Sequence, residues 1–368
     1  MAESSTTRSR KRARVLPEPG EAQDPEAAAV VPPKRDTEVW FDDGNIVVVA
    51  DETAFKVHRG VLSLHSEVFR DMFLIPPPED DEALEGCPIV HVSDSASDIR
   101  QLLSVLYKGR TCVRSFVVVT LIIYRCFPRC LLGSATVKFQ LAEVLVRMAH
   151  KYNIPDLKRD ALARIQELYT DNYYDFYVPE ASGGPLSYQW EDAFQVVRLA
   201  HLTGVKSMLP VALYLCCMSP LFFSTRDMVE LAARCREQGE VSLPEEDMFR
   251  CIRAQPHLVR ASIQLLASTF EGGLSGLCTG SQRCKSSYKR LLHTLLSMHS
   301  DSVPGDVDCL SIQLRDLLED YCPDAYFCDA CKRRFDHNHR ECRKAIWKEL
   351  PCYLELEIDG WARELGEG

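Results

Sequence analysis

Apolar residues first become dense at Val39-Trp40-Phe41, and the chain then switches between two hydrophobic periods. Val39 to Phe41 reads as a strand, Asp42-Asp43-Gly44 as a turn, and the unbroken β-branched run from Ile46 to Ala50 as a second strand. Beyond Asp51-Glu52, alternation places Phe55 and Val57 on one face and Lys56 and His58 on the other. That pattern predicts a third strand with one solvated or partner-facing side. From Gly60 the period becomes helical: Val61, Leu62, Leu64, Val68, Phe69, Met72 and Phe73 recur at helical spacing, and Ser66 is placed to cap a second short helix. Pro76-Pro77-Pro78, followed by Glu79-Asp80-Asp81-Glu82, must end that helix in an exposed loop, because proline lacks an amide hydrogen and adjacent acids repel. Ile89 to Val92 reads as another strand and Ser93-Asp94-Ser95 as a cap. Ile99, Leu102, Leu103, Val105 and Leu106 then form the stripe of an amphipathic helix that ends before Gly109. Strands and helices alternate, so this part of the chain predicts a core of mixed sheet and helix.

Further on, the pattern is helical throughout. After Met148, Leu157 to Tyr169, Trp190 to Leu202 and Met208 to Met218 read as successive amphipathic helices, broken by a Tyr-rich and Gly-Pro loop near 171–186. Their stripes predict continuous packing onto the first part of the chain, with Trp190, Phe194 and Leu199 as core residues. The connection from Gly109 to Lys138 is anomalous. It carries an uncharged apolar run, Phe116 to Tyr124, that Arg125, Pro128 and Arg129 cut too short for the roughly 20 residues a membrane span needs. Left exposed, such a β-branched run is an aggregation hazard, and the segment is read as translated intron or misjoined exon sequence.

The chain has 368 residues, 46% of them hydrophobic, enough for one large or two modest domains. A net charge of −10 argues against a broad nucleic-acid surface, because counterion release needs clustered lysine and arginine, so any basic site must be local. Residues 1–36 lack periodic apolar positions and are expected to be a disordered tail. Within them, Arg8-Ser9-Arg10-Lys11-Arg12-Ala13-Arg14 is a run of the kind read by nuclear import receptors, or else a solvated basic tail. The first thirty residues show no secretory pattern, which predicts an intracellular protein, nuclear or cytoplasmic, with no membrane partner.

The run from Gly44 to Phe73 resembles the core of the BTB/POZ family. The strongest segments are Phe55-Lys56-Val57-His58-Arg59-Gly60-Val61-Leu62 and Ser66-Glu67-Val68-Phe69-Arg70-Asp71-Met72-Phe73. The resemblance implies an α+β fold, a small sheet with clustered helices over residues 37–170, with 111–135 as an atypical insertion, followed by an all-α region over 171–368. It also implies a surface that recruits identical chains, other proteins or cullin-type ubiquitin ligases, with Asn45, Lys56, His58 and Arg59 as candidate partner-binding residues. Trp347-Lys348-Glu349-Leu350-Pro351 and the Cys-x-x-Cys before it resemble the tail of a large fungal, basidiomycete-type set of these proteins. Two departures stand out. Asn45 occupies a position where the family often has an acid paired with the arginine after the histidine, and Ala83-Leu84-Glu85 is a poor substitute for a hydrophobic-x-Glu cullin contact.

Sixteen cysteines in a reducing compartment are expected to be buried thiols, metal ligands or reactive thiolates rather than a disulfide framework, most of them simple core residues. Cys328-Asp329-Ala330-Cys331 supplies two soft donors on one tight turn. Loop context and the pattern of similar fungal chains suggest Cys278 and Cys284 as the other two, together making a structural zinc site that staples the 272–288 loop to the last helix. Reduced buried thiols are the rival reading, and His337, His339 and Cys342 are the alternate donors. A redox Cys-x-x-Cys would need a preceding βαβ pattern, and none is visible. Nor is there a phosphate-binding glycine loop, a nucleophile elbow or a His-Glu-x-x-His helix, and His58, His91, His150 and His201 have no sequence-local acid-base partner. The expected function is therefore a non-catalytic protein-interaction scaffold or adaptor. The alternatives are a cullin-ligase substrate adaptor and a nuclear transcription-associated regulator, with no direct nucleic-acid contact expected.

Overall fold

The computed structural model describes residues 33–75, 83–108, 137–176, 186–187, 192–218, 243–297, 309–311, 313–321 and 323–366. The N-terminal basic run, the proline-rich loop, the apolar insertion and Trp190 lie outside the described residues.

Five strands form one mixed sheet: β1 (Lys34–Arg35), β2 (Ile46–Ala50), β3 (Thr53–Val57), β4 (Ala83–Leu84) and β5 (Cys87–Val92), in the order β1-β3-β2-β5-β4. β2 runs antiparallel to β3, with Val48 opposite Phe55, and parallel to β5, with Val48 opposite Val90. Glu85 and Gly86 both take positive φ (54° and 74°), the backbone a two-residue hairpin needs to join β4 to β5 with the natural twist. Every β2 side chain is buried, which explains its continuous rather than alternating hydrophobic run. Ile46, Val48 and Ala50 enter the main core, while Val47 and Val49 join Ala54, Cys87, Trp40, Leu84 and Ile89 on the opposite face.

The sheet corrects two expectations. Val39 to Phe41 is not a strand. The Asp36 carboxylate accepts the amide hydrogens of Glu38 (2.9 Å) and Val39 (2.8 Å) and pairs with Arg100 (2.7 Å), folding this stretch into a turn over the sheet. β1 and the buried Asp36 instead lie inside the stretch read as tail. Nor is the Lys56 face of β3 solvated. Lys56 is 8% exposed, and its Nζ donates to the Asp42 carbonyl (3.0 Å) and reaches Glu85 (3.4 Å) beneath the Trp40 cluster.

Helices α1 (Arg59–His65) and α2 (Glu67–Met72) meet at Ser66, whose Oγ accepts from the Phe69 amide (3.0 Å) and donates to the Tyr152 carbonyl (2.6 Å). α3 (Ala96–Lys108) and α5 (Pro155–Gln166) follow the apolar stripes read from sequence, and α4 (Phe139–Lys151) lies between them. A two-stranded parallel pair, β6 (Val137–Lys138) and β7 (Leu186–Ser187), was not foreseen. α6 (Asp192–Thr203) and α7 (Leu209–Cys217) are nearly all apolar inward, and Phe194 and Leu199 are core residues as expected.

Two long helices complete the fold, α8 (Glu245–Phe270) and, after α9 (Ser281–Ser297) and α10 (Leu314–Tyr321), α11 (Asp329–Tyr353). α8 and α11 are antiparallel. Arg253 near one end of α8 clamps Glu355 just past α11 through Nε (2.9 Å) and Nη2 (2.6 Å), while Phe270 at the other end meets Phe335 edge-on at 5.2 Å. A single hydrophobic core runs from Val39 through α4 to α7 and on to Trp347, Leu350 and Ala362, so the sheet-containing part and the helices pack continuously. Trp347 anchors it, stacked on Trp361 at 4.6 Å and tilted against Phe176 at 4.8 Å. Pro351, inside α11, has no amide to give the Trp347 carbonyl, and the Trp361 indole N–H fills that place at 2.7 Å.

Candidate metal centre and interaction face

The far end of the α8–α11 pair builds its own small core, separate from the main one. Phe335 sits edge-on to both Phe270 (5.2 Å) and Phe327 (5.2 Å), and Tyr288 lies over it at 6.3 Å. Against this cluster the chain brings four sulfurs together. Cys278 follows the turn through Gly272 and Gly273, both at positive φ, and Cys284 lies in the first turn of α9. Cys328 caps α11, and Cys331 is in that helix's first turn. All four sulfurs lie within 4.8 Å of one another, with Cys278 and Cys328 at 3.8 Å, far from the roughly 2.05 Å of a disulfide. Tetrahedral zinc at about 2.3 Å from each sulfur requires sulfurs about 3.8 Å apart, so a small contraction suffices.

The surroundings fit a thiolate-bound metal. The Cys328 amide donates to Cys284 Sγ (3.2 Å), and the backbone N–H groups of Cys331 and Gly280, among others, pull the Cys328 thiol down to about 5. Burial among neighbouring thiols pushes Cys331 up to about 12 and raises Cys284, a conflict that a divalent cation would remove by deprotonating all four. Gly280 makes the enclosure feasible, because a Cβ there would lie 2.9 Å from Cys284 Sγ and 3.1 Å from Tyr326 Cε1. No sequence signal marked this glycine as part of the site. Four cysteines are thus clustered in a form that could hold a metal ion such as zinc.

The alternate donors are not gathered at the cluster. His337 is exposed, while Cys342 belongs to the main core, and both Cys342 and His339 are buried. They lie on the apolar stripe of α11, which the surrounding arginines conceal in the sequence. Burial, with the Arg343 charge nearby and Asp336 opposing it, drops the His339 imidazole to about 4. Its folded value lies below its unfolded one, so the stability it contributes is complete above about pH 6.5 and is lost on acidification toward 4. Across that window the loss should reach about 3 kcal/mol by urea titration, and His339→Gln should flatten the slope.

The candidate partner-binding residues divide. Lys56 is interior. Asn45 Oδ1 accepts the Arg59 amide (2.8 Å), holding the first turn of α1 rather than meeting the Arg59 side chain, which lies over Phe73 (5.3 Å). His58 reaches Asp43 (3.2 Å) and Tyr107 (3.3 Å), and His201 binds the buried Asp247 (2.6 Å), which Arg250 also holds (2.8 Å). These partners are remote from the two histidines in sequence, so local spacing could not show them, and they tie helices together. The buried thiols Cys216 and Cys251 are pushed well up by burial, the opposite of an activated nucleophile. Among the described residues no helix is long and apolar enough to cross a membrane.

Strands β2 to β5, the paired short helices at Ser66 and the Tyr107–His58 contact all fall within one stretch of sequence. Residues 41–126 match the BTB/POZ domain. The BTB/POZ domain is generally a protein-interaction module, and it is the part of the chain that a family model covers. No curated protein matches the sequence. The expected α+β class holds, a BTB/POZ region of mixed sheet and helices followed by helices, and the interaction module identified is non-catalytic.

Proposed function

We propose that this chain is a non-catalytic scaffold or adaptor. In this reading its BTB/POZ unit, over about residues 37–170, binds a second copy of the chain, and its helical region, 171–368, is fastened by a structural zinc on Cys278, Cys284, Cys328 and Cys331. The observation that carries it is the match of residues 41–126 to an interaction domain. The central strands β2 and β3 are covered, and exposed apolar side chains stand instead on α1 and just past α2, where Leu64, Leu74 and Ile75 are 79%, 75% and 71% exposed. The cysteine cluster and the Trp347 to Pro351 anchor support a place beside the fungal set named above.

Light scattering on the purified full chain tests the reading. Twice the chain mass is expected at micromolar concentration, falling to the single mass in Leu64→Glu/Leu74→Glu, whereas a monomeric parent overturns self-association. Stoichiometric capture of a cullin would move the reading to a ubiquitin-ligase adaptor. Transcript sequencing across codons 109 to 138 tests the proposal that 111–135 is a splicing artefact, and a message that always retains the segment removes it.

A further inference from the structure

The cysteine cluster brings together basic side chains that are remote in sequence. Residues 271–290 and 323–334 hold seven lysines and arginines against three carboxylates, in a chain whose net charge is −10. α9 contains no acidic residue, and Arg283, Lys285, Lys289 and Arg290 are all exposed on it; Lys332 and Arg333 are exposed in the first turn after Cys331. Among the described residues, none of Lys285, Lys289, Lys332 and Arg333 forms an ion pair, unlike Arg340 and Lys344 farther along α11, which pair with Asp336 and Glu341. Beside them the chain exposes a flat ring, Tyr326 (50% exposed), with the Arg283 guanidinium over it at 5.6 Å, and Leu277 (81% exposed). A zinc tetrathiolate carries two negative charges, which the seven cations outnumber even after the three carboxylates are counted.

We propose that this tip is a sequence-independent nucleic-acid site, with Lys285, Lys289, Lys332 and Arg333 on the backbone phosphates of a duplex. Solvated, unpaired cations offer what phosphodiester binding uses, release of counterions, and require no apolar pocket. An acidic peptide would call for side-chain pockets, and the clefts beside α1 and α5 and between α3, α4 and α6 are lined by no residue of the tip. The site is local, as the acidic charge balance of the whole chain demands.

The test is fluorescence anisotropy with a labelled mixed-sequence DNA duplex of about 20 base pairs. It uses the full chain carrying Arg10→Ala/Lys11→Ala/Arg12→Ala, so that the basic tail cannot supply the signal. Binding is expected, with log affinity falling on log salt at a slope of about −3 to −4 for four phosphate contacts. Lys285→Glu/Lys289→Glu/Lys332→Glu/Arg333→Glu should weaken it at least about tenfold and flatten the slope, while Lys285→Arg/Lys289→Arg retains it. Zinc content and thermal unfolding of every variant separate lost charge from lost fold, and glutamine at the same four positions repeats the measurement if the glutamate variant does not fold. Affinity unchanged by these substitutions, or a poly-glutamate peptide preferred over the duplex, overturns the proposal. Zinc-free protein that still binds DNA would count against the metal and leave the basic site standing.

Discussion

Removing the metal, by chelation or by Cys331→Ser, is expected to unfold the tip of the α8–α11 pair while the sheet stays folded. Purified protein should carry about one zinc per chain, and either treatment should remove it. The tip's own apolar core is Phe270, Cys284, Leu291, Phe327, Cys328, Cys331 and Phe335, three of them cysteines that would be left as free thiols. Each large side chain buried there contributes about 1.5–3 kcal/mol. Structural zinc in isolated fingers supplies about 10–16 kcal/mol, so the metal dominates the local balance. Amide exchange should therefore rise across α9 and the first turns of α11 while β2 and β3 remain protected, since Val47 to Ala50 belong to other clusters. Cys352→Ser, at an exposed cysteine, serves as the control that keeps the metal. Zinc well below one per chain, or exchange unaltered by Cys331→Ser, would sink the metal reading.

Trp347→Ala should be the most damaging single change in the main core, costing about 3–5 kcal/mol in chemical denaturation. Trp347 is fully buried, touches Tyr173, Phe176 and Trp361, and joins the end of α11 to the chain that leaves α5. Its own indole N–H finds no partner among the described residues, so Trp347→Phe loses volume but also removes an unsatisfied donor and should cost much less than the alanine variant. Trp361→Phe should cost about 1–2 kcal/mol for a different reason, because it leaves the Trp347 carbonyl without a donor opposite Pro351. Equal losses for the two Trp347 variants would contradict this account.

Period was the most informative sequence feature. The helical stripes of α3, α5 and α6 were visible because one face of each is apolar, and Ser66 because a hydroxyl before an apolar turn has few other uses. Val39 to Phe41 misled because apolar alternation carries no record of Asp36, whose carboxylate competes for the amides a strand would need. Lys56 misled because a long side chain can lie buried when its ammonium finds a carbonyl and a carboxylate from distant loops. At the metal site the Cys-x-x-Cys spacing was legible and its second pair only suggested, since the antiparallel course of α8 and α11 decides that the two loops meet. Gly280 was invisible, because what it avoids is a contact with a sulfur brought in by another segment.

Cys278 and Cys328 meet across 50 residues of chain, a separation that sets when the site can exist during synthesis. Closing a loop of that length costs about 3 kcal/mol before any contact repays it, so the first two thiols gain little by waiting near their partners. While the ribosome is still making α11, Cys278 and Cys284 have only each other, and two thiols hold a metal far less well than four. Capture of a metal by all four thiols would therefore wait until Cys331 has been made, and the interval before it would be when Cys278 and Cys284 are most open to oxidation or to a wrong metal.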